Sequence, residues 1–259
     1  MAGQHDFVIQ AHGIRSQFGS TVVHDGLNLD VKRGEVMGLV GGSGTGKSVL
    51  VNTIVGLRKP QAGTVRVLGR DPYDPDPVRR RDLQKRWGVL FQDGALFSGL
   101  SVSENIQVPL RENTKLPQSL IEQIARAKIA MVGLEPDACN KLPSELSGGM
   151  RKRAGLARAL AMDPEIVFLD EPTAGLDPIG ASSFDDLIES LRKSLNLTVL
   201  MVTHDLDSLN TICDRISVLL NKKVTVGTMS QLMAMDDPWL RAYFHGPRMR
   251  AAQTAEQGA

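Results

Sequence analysis

The stretch Gly41-Gly42-Ser43-Gly44-Thr45-Gly46-Lys47-Ser48 fits G-x-x-x-x-G-K-[ST] at every position. Ahead of it, Val36-Met37-Gly38-Leu39-Val40 is a short apolar run of the length expected of a buried strand. After it, residues from Val49 to Val55 can continue as a helix that ends near Gly56. Strand, glycine loop and helix together make a phosphate cradle. The glycines let backbone N–H groups turn inward on phosphate oxygens, and the helix N-terminus adds partial positive charge. Residues Gly41 through Val49 are therefore the expected nucleotide contacts. Lys47 is expected to reach the β- and γ-phosphates, and the Ser48 hydroxyl to ligate Mg²⁺. A glycine-rich turn that binds nothing is the alternative. A complete match set between strand and helix argues against it, and the expectation is binding of a nucleoside triphosphate.

Working outward, 259 residues can bury one large core, or a core with a modest inserted subdomain. The net charge of +1 argues against a general nucleic-acid coat protein. Arg79-Arg80-Arg81, followed by Lys85-Arg86, reads as a solvated helix face because no aromatics interleave. Cys139 and Cys213 have no metal-ligand spacing and suit two inert thiols in a reducing compartment. The N-terminal residues lack the blocks of a signal peptide, and no apolar run approaches the ~18 residues that span a bilayer. Any link to a membrane is expected to go through a partner.

Phe7-Val8-Ile9 and Leu27–Val31 read as half-exposed strands, with Phe18-Gly19 just before a turn. Gly63–Leu68 reads as another strand, Val78–Lys85 as a basic helix and Trp87–Phe91 as a buried strand running into Gln92. From Asp93 the character changes. Val102–Leu110, Gln118–Val132 and Ser147–Ala161 have helical spacing punctuated by Pro109, Pro117, Pro136 and Pro143. The core resumes with Glu165–Leu169, then a helix Ile179–Leu195, a strand Thr198–Val202, a further helix, and strands Ile216–Leu220 and Val224–Val226.

The expected fold is α/β: a mostly parallel sheet with an antiparallel N-terminal region and an inserted helical subdomain. The boundaries read from sequence are 1–92 for the first core segment, 93–162 for the helical subdomain, 163–236 for the second core segment and 237–259 for a C-terminal extension. That extension carries one short helical stretch, Trp239–Phe244, and its last ten or so residues are expected to be mobile.

Functional groups in such a fold lie at the carboxyl ends of strands. Asp170 ends an apolar run where a P-loop NTPase places its second Mg²⁺-associated group, and Glu171 beside it can orient or deprotonate an attacking water. Gln92 follows a strand and can contact Mg²⁺ or that water. His204 follows the strand after the acid pair and can sense a γ-phosphate. Ser147-Gly148-Gly149 opens a helix, with Met150, Ala154, Ala157 and Leu160 on one stripe and Arg151, Lys152, Arg153 and Arg158 beside it. Such a start is a second anion-binding site. One nucleotide does not need two cradles so far apart, unless the second serves a neighbour's nucleotide.

In this order the phosphate loop, Gln92, Leu146-Ser147-Gly148-Gly149-Met150, Ile166–Glu171, Ala174-Gly175-Leu176-Asp177 and His204 resemble the ATP-binding cassette family over nearly the whole chain. The resemblance implies ATP and Mg²⁺ as ligands and a head-to-tail dimer with a second copy of the chain. In it each ATP lies between Lys47 of one subunit and Ser147-Gly148-Gly149 of the other. It also implies Asp177 at the dimer seam and Phe18 stacked on adenine. Met150 stands where the family usually has Gln, and Phe18 where Tyr is commoner.

Asp93–Val102, Pro109–Pro117 and the Met-ending signature are similar to the ATPases of bacterial MCE-type lipid transporters, above all those of the Mla phospholipid system. That similarity implies a membrane permease dimer, an MCE-domain protein, a small STAS-domain subunit and a place on the cytoplasmic face of a Gram-negative inner membrane. It implies indirect action on phospholipid, no nucleic acid, and a C-terminal extension that embraces the neighbouring subunit. Leu96, Phe97 and Leu100 could line a groove for a permease helix. An importer ATPase for a polar solute and a soluble cassette ATPase that does not transport are the alternatives. A small-molecule phosphotransferase leaves Ser147-Gly148-Gly149 unexplained.

Overall fold

The computed structural model describes residues 7–244. The expected mobility of the last residues therefore falls outside the described part. In chain order the elements begin with β1 (Phe7–Phe18), β2 (Thr21–Lys32), β3 (Val36–Val40), α1 (Lys47–Ile54), β4 (Ala62–Val67), α2 (Pro77–Gln84) and β5 (Trp87–Leu90). Three helices follow: α3 (Val102–Asn113), α4 (Gln118–Met131) and α5 (Gly148–Ala159). Then come β6 (Ile166–Asp170), α6 (Pro178–Leu195), β7 (Thr198–Val202), α7 (Leu206–Ile212), β8 (Arg215–Leu220), β9 (Lys223–Gly227), α8 (Met229–Met233) and α9 (Pro238–Phe244).

Two sheets result. The first is antiparallel, in the order β2-β1-β4. Its strands bury Ile9, Ala11, Leu27, Leu29, Val65 and Val67 in one cluster with Leu50 and Ile54 of α1, so the phosphate-loop helix is clamped from that side. The second sheet runs β5-β6-β7-β3-β8-β9, parallel except for the β8–β9 hairpin. Every residue of β3 and β7 is buried, as a parallel strand covered on both faces requires. Each fully buried Val or Leu there contributes about 2 kcal/mol by leaving water. Helices α3, α4 and α5 share one apolar cluster with Val167, Leu169, Val199 and Met201 of the sheet, so the helical part leans on the core rather than closing on itself.

Two local expectations need correction, and one element is new. Helix α3 runs through Pro109 to Asn113 instead of stopping there. Ser101 and Glu104 close a capping box at its start, and Asn113 Nδ2 donates to the Pro109 carbonyl at 2.9 Å near its end. The buried strand expected over Trp87–Phe91 ends at Leu90; β5 is an edge strand, Trp87 and Val89 are half-buried, and Phe91 is 45% exposed. Helix α8, capped by Thr228 and Gln231, has no counterpart in the sequence reading.

Helices α6 and α7 are fastened by a buried acid. Ser208 Oγ donates to Asp185 Oδ2 at 2.6 Å, while Asp185 Oδ1 is buried without a partner. Burial pushes the Asp185 carboxyl up to about 6, against the Ser208 hydrogen bond and with help from Asp205, Asp186 and Asp207. The unfolded chain releases this proton near its ordinary 3.8, so between there and about 6 the folded form binds the extra proton. Stability therefore falls as pH rises through that window. Asp185→Asn keeps the shape without the charge. It should raise Tm by about 5 °C at pH 7.5 and leave it nearly unchanged at pH 4, as thermal melts at the two pH values would check.

Candidate functional site

Strand order assembles the site. In β5-β6-β7-β3, four parallel neighbours end on one edge of the sheet. Gln92 lies just beyond β5, Asp170 and Glu171 end β6, His204 follows β7, and the phosphate loop follows β3. Groups scattered over more than a hundred and fifty positions of sequence thus face one space.

The loop is shaped for anions. Gly46 is the N-cap of α1 at φ 106°, and a Cβ there would meet Val23 Cγ1 at 2.3 Å and His24 Nε2 at 2.6 Å. Only glycine fits both the conformation and the space. Lys47 Nζ donates to the carbonyls of Gly41 at 2.7 Å and Gly42 at 3.1 Å. An ammonium has three N–H groups, so one stays available for a phosphate oxygen. Burial lowers the Lys47 pKa, while the charges of Glu171 and Asp170 oppose that shift.

Ser48 and Asp170 share the wall of a cavity of about 30 Å³ with Asn52, Val89 and Val202. A hydroxyl and a carboxylate on one space fit Mg²⁺, which takes one or two carboxylates and completes its shell with phosphate and water. Among the described residues no three His, Cys, Asp or Glu side chains gather into a metal cage. Burial raises the Asp170 carboxyl and Lys47 pulls it down.

Glu171 sits in the left-handed region at φ 49°. A non-glycine residue held there costs about 1–3 kcal/mol, so its neighbours must fix it. Its N–H donates to the Val202 carbonyl at 2.8 Å, and its own carbonyl accepts from Lys152 Nζ at 3.0 Å and from the Ala174 N–H at 3.2 Å. Its carboxylate Oε1 lies 3.3 Å from His204 Nε2. Burial raises the Glu171 carboxyl, His204 opposes this through its ring and backbone N–H, and Asp170 adds to it. A carboxylate with a raised pKa beside a histidine can accept a proton from water.

The remaining expected residues are spread around this centre. Gln92 is exposed and is not on the wall that Ser48 and Asp170 share. Phe18 is 44% exposed, with the Arg58 guanidinium 3.6 Å from its ring centroid. Ser147 caps α5 by accepting from the Met150 N–H at 3.2 Å, and Gly148 and Gly149 form its first turn. Among the described residues no hydrogen bond ties these three to the chain's own phosphate loop. Asp177 is exposed and caps α6 by accepting from the Gly180 N–H at 2.8 Å.

Trp87, Phe91, Phe97, Val108, Pro109 and Arg158 line an open groove of about 470 Å³ beside Gln92. Phe97 is on its wall as expected. Leu96 instead packs on the helical core, and Leu100 is not on the wall.

Three residues near the site escape a sequence reading. Lys152, read from sequence as lying beside the apolar stripe of α5, is itself buried with Gly155, Leu156 and Ala159 and donates to the carbonyls of Gln92 at 2.8 Å and Glu171 at 3.0 Å. The signal was a lysine at i, i+3, i+4, i+7 spacing with small and apolar residues. His24 is wholly buried against Gly46; its Nδ1 pairs with Ser16 Oγ at 3.1 Å and its Nε2 has no partner. Tyr243 in α9 buries a hydroxyl without a partner, and burial together with the charges of Glu171 and Asp205 pushes it up to about 12.

The family model for ABC transporters matches residues 24–174. The MlaF protein of Haemophilus influenzae, an intermembrane phospholipid transport system ATP-binding protein, is 40% identical over 231 residues, covering 89% of this chain and 87% of the relative. The probable ribonucleotide transport ATP-binding protein mkl of Mycobacterium tuberculosis is 38% identical over 250 residues, covering 96% of this chain and 69% of the relative. Among solved structures, cbiO1 from Clostridium perfringens, part of the ABC transporter complex cbiONQ, superposes at a TM-score of 0.81 with 30% identity, covering 96% of this chain and 99% of that one. MJ0796, a dimeric ATP-binding cassette in a post-hydrolysis state with ADP and Pi, superposes at 0.77 with 28% identity, covering 85% and 98%. Sequence and fold converge along most of the chain, which belongs to the ABC transporter family as an ATP-binding, ATP-hydrolysing protein.

Proposed function

We propose that this chain powers a phospholipid transporter, hydrolysing ATP in a head-to-tail pair beneath a membrane permease. The observation that carries the chemistry is the Glu171 carboxylate at the end of β6, 3.3 Å from His204 at the end of β7, the strand that pairs with β3 ahead of the Lys47 loop. The ATP phosphates would lie in the loop from Gly41 to Val49, with the free N–H of Lys47 on a γ-phosphate oxygen and adenine stacked on the exposed ring of Phe18. Glu171 would take a proton from the attacking water, and His204 would orient Glu171 and donate to the γ-phosphate. Ser48 and Asp170 would hold Mg²⁺, and Gln92 would join them by turning inward. The ion would neutralise phosphate charge.

Ser147, Gly148 and Gly149 are exposed or half-exposed at a helix start, and among the described residues none of them is hydrogen-bonded to the chain's own phosphate loop. That supports their use on a second copy's nucleotide, with Asp177 at the seam. The aromatic groove beside Gln92 suits a short permease helix. Among the described residues no helix is long and apolar enough to cross a membrane, so the permease would supply the anchor at the cytoplasmic face of the inner membrane.

Phospholipid as the cargo, and with it an MCE-domain protein and a STAS-domain subunit, is supported by 40% identity to MlaF over 89% of the chain. The comparable likeness to mkl, a protein named for ribonucleotide transport, is the ground for the alternative of a polar cargo. Gentle solubilisation of host membranes with this chain tagged would separate the two. Recovery of a permease, an MCE-domain protein and phospholipid is the expected result; a permease with a solute-binding protein would overturn the lipid cargo.

Glu171→Gln should retain ATP binding and slow hydrolysis by at least about 100-fold, trapping a dimer visible by size exclusion; parental turnover would remove Glu171 as base. Lys47→Ala should weaken nucleotide affinity by roughly tenfold or more in a fluorescent-ATP titration, because a charge-assisted contact is lost. In mixed dimers, Ser147→Arg should disable the site containing its neighbour's Lys47. Damage confined to its own Lys47 site would count against head-to-tail pairing.

A further inference from the structure

The base proposed above stands on a strained backbone, and one buried cation connects that backbone to the groove. Lys152 is 5% exposed and projects from α5, the helix that Ser147 caps. Its ammonium donates to the Gln92 carbonyl at 2.8 Å and to the Glu171 carbonyl at 3.0 Å. The contact is possible because α5 lies directly on the Gln92 turn. A Cβ on Gly155 would meet Gly94 Cα at 2.9 Å and the Gly94 carbonyl at 3.1 Å.

Arg158, one turn and a half further along, holds the other carbonyls of this turn, donating to Ala95 at 2.7 Å and Gly94 at 2.9 Å. It also lines the groove and lies 5.9 Å from the Phe97 ring centroid. Two cations of α5 therefore fix three carbonyls of the turn, but only Lys152 also touches Glu171. Burial lowers the Lys152 pKa, and the charges of Asp93 and Glu171 oppose that shift.

We propose that Lys152 is a positioning residue: it holds the Glu171 backbone in its left-handed turn and ties it to the Gln92 turn, linking the groove and the signature helix to the base. A shift of α5 or of the Gln92 turn moves the ammonium, and the Glu171 carbonyl follows it. Displacing a catalytic group by about 1 Å costs on the order of 100-fold in rate. The groove can therefore govern hydrolysis without touching ATP. This inference rests on Glu171 as the base.

The test uses the full chain and ATP. Lys152→Met keeps the aliphatic stem and removes both hydrogen bonds. It should lower kcat by roughly tenfold or more while the KM for ATP changes less than about threefold. Lys152→Arg, which retains charge and donors, should recover most of the rate. The Ala174 amide, bonded to the Glu171 carbonyl at 3.2 Å, should exchange hydrogen faster in Lys152→Met than in the parent. Arg158→Met, which frees the turn without touching Glu171, should leave that exchange unchanged.

A Lys152→Met chain with parental kcat overturns the proposal. So does a loss of kcat matched by an equal rise in KM, or equal acceleration of Ala174 exchange by Arg158→Met. Should Lys152→Met fail to fold, Lys152→Gln is read against the same expectations. Glu171→Gln separates the two readings. If it turns over at the parental rate, the base assignment fails; if it is inactive while Lys152→Met is parental, only the role of Lys152 fails.

Discussion

The constraint on which the rest depends is the adjacency of β5, β6, β7 and β3 as parallel strands. Parallel pairing sends each chain out of the sheet on the same edge, so the next residue of each strand becomes a neighbour of the others. Lys47, Asp170, Glu171 and His204 owe their proximity to this and to nothing in their local sequence. It also explains why the strands are apolar throughout. A sheet that gathers charged groups at one edge must have helices on both faces, and β3 and β7 bury every residue accordingly.

The charges gathered there hold one another in usable states. Lys47 loses hydration and on its own would shed its proton more readily; Asp170 and Glu171 counter that. The two carboxylates lose hydration as well and would hold protons longer, and Lys47 counters that in turn. The arrangement has a cation beside two acids before any phosphate enters. A triphosphate brings further negative charge to this edge, which a divalent cation held by Ser48 and Asp170 would offset.

Local signals made much of this legible. The phosphate loop is contiguous, its strand and helix flank it, and the apolar runs of β3, β6 and β7 end where their functional residues begin. Strand order was not legible, because pairing between β6 and β7 or between β7 and β3 is decided by packing across many residues. Phe91 shows the same limit. Its run reads as buried, yet β5 is an edge strand and the ring turns into the groove. Pro109 shows another: a proline lacks one N–H, and a helix with a sound capping box and buried Ile106 and Leu110 continues through it. Lys152 was hidden by its type. A lysine among arginines reads as solvated surface until the tight approach of α5 to the Gln92 turn is known.

That last case bears on how one subunit responds to another. The start of α5 is presented outward while its middle is locked to the turn beside the groove and to the Glu171 backbone. A rigid helix fixed at its middle transmits a displacement of its end, whereas a flexible loop would absorb it. Gly155 allows no side chain between helix and turn, so no compressible layer intervenes. An anion captured at Ser147-Gly148-Gly149 and a helix seated in the groove would therefore act on the same short segment of backbone. Because that segment holds Glu171 at a strained φ of 49°, it needs little displacement to change where the carboxylate points. If Glu171 is the base, strain there would let two remote contacts bear on one proton transfer.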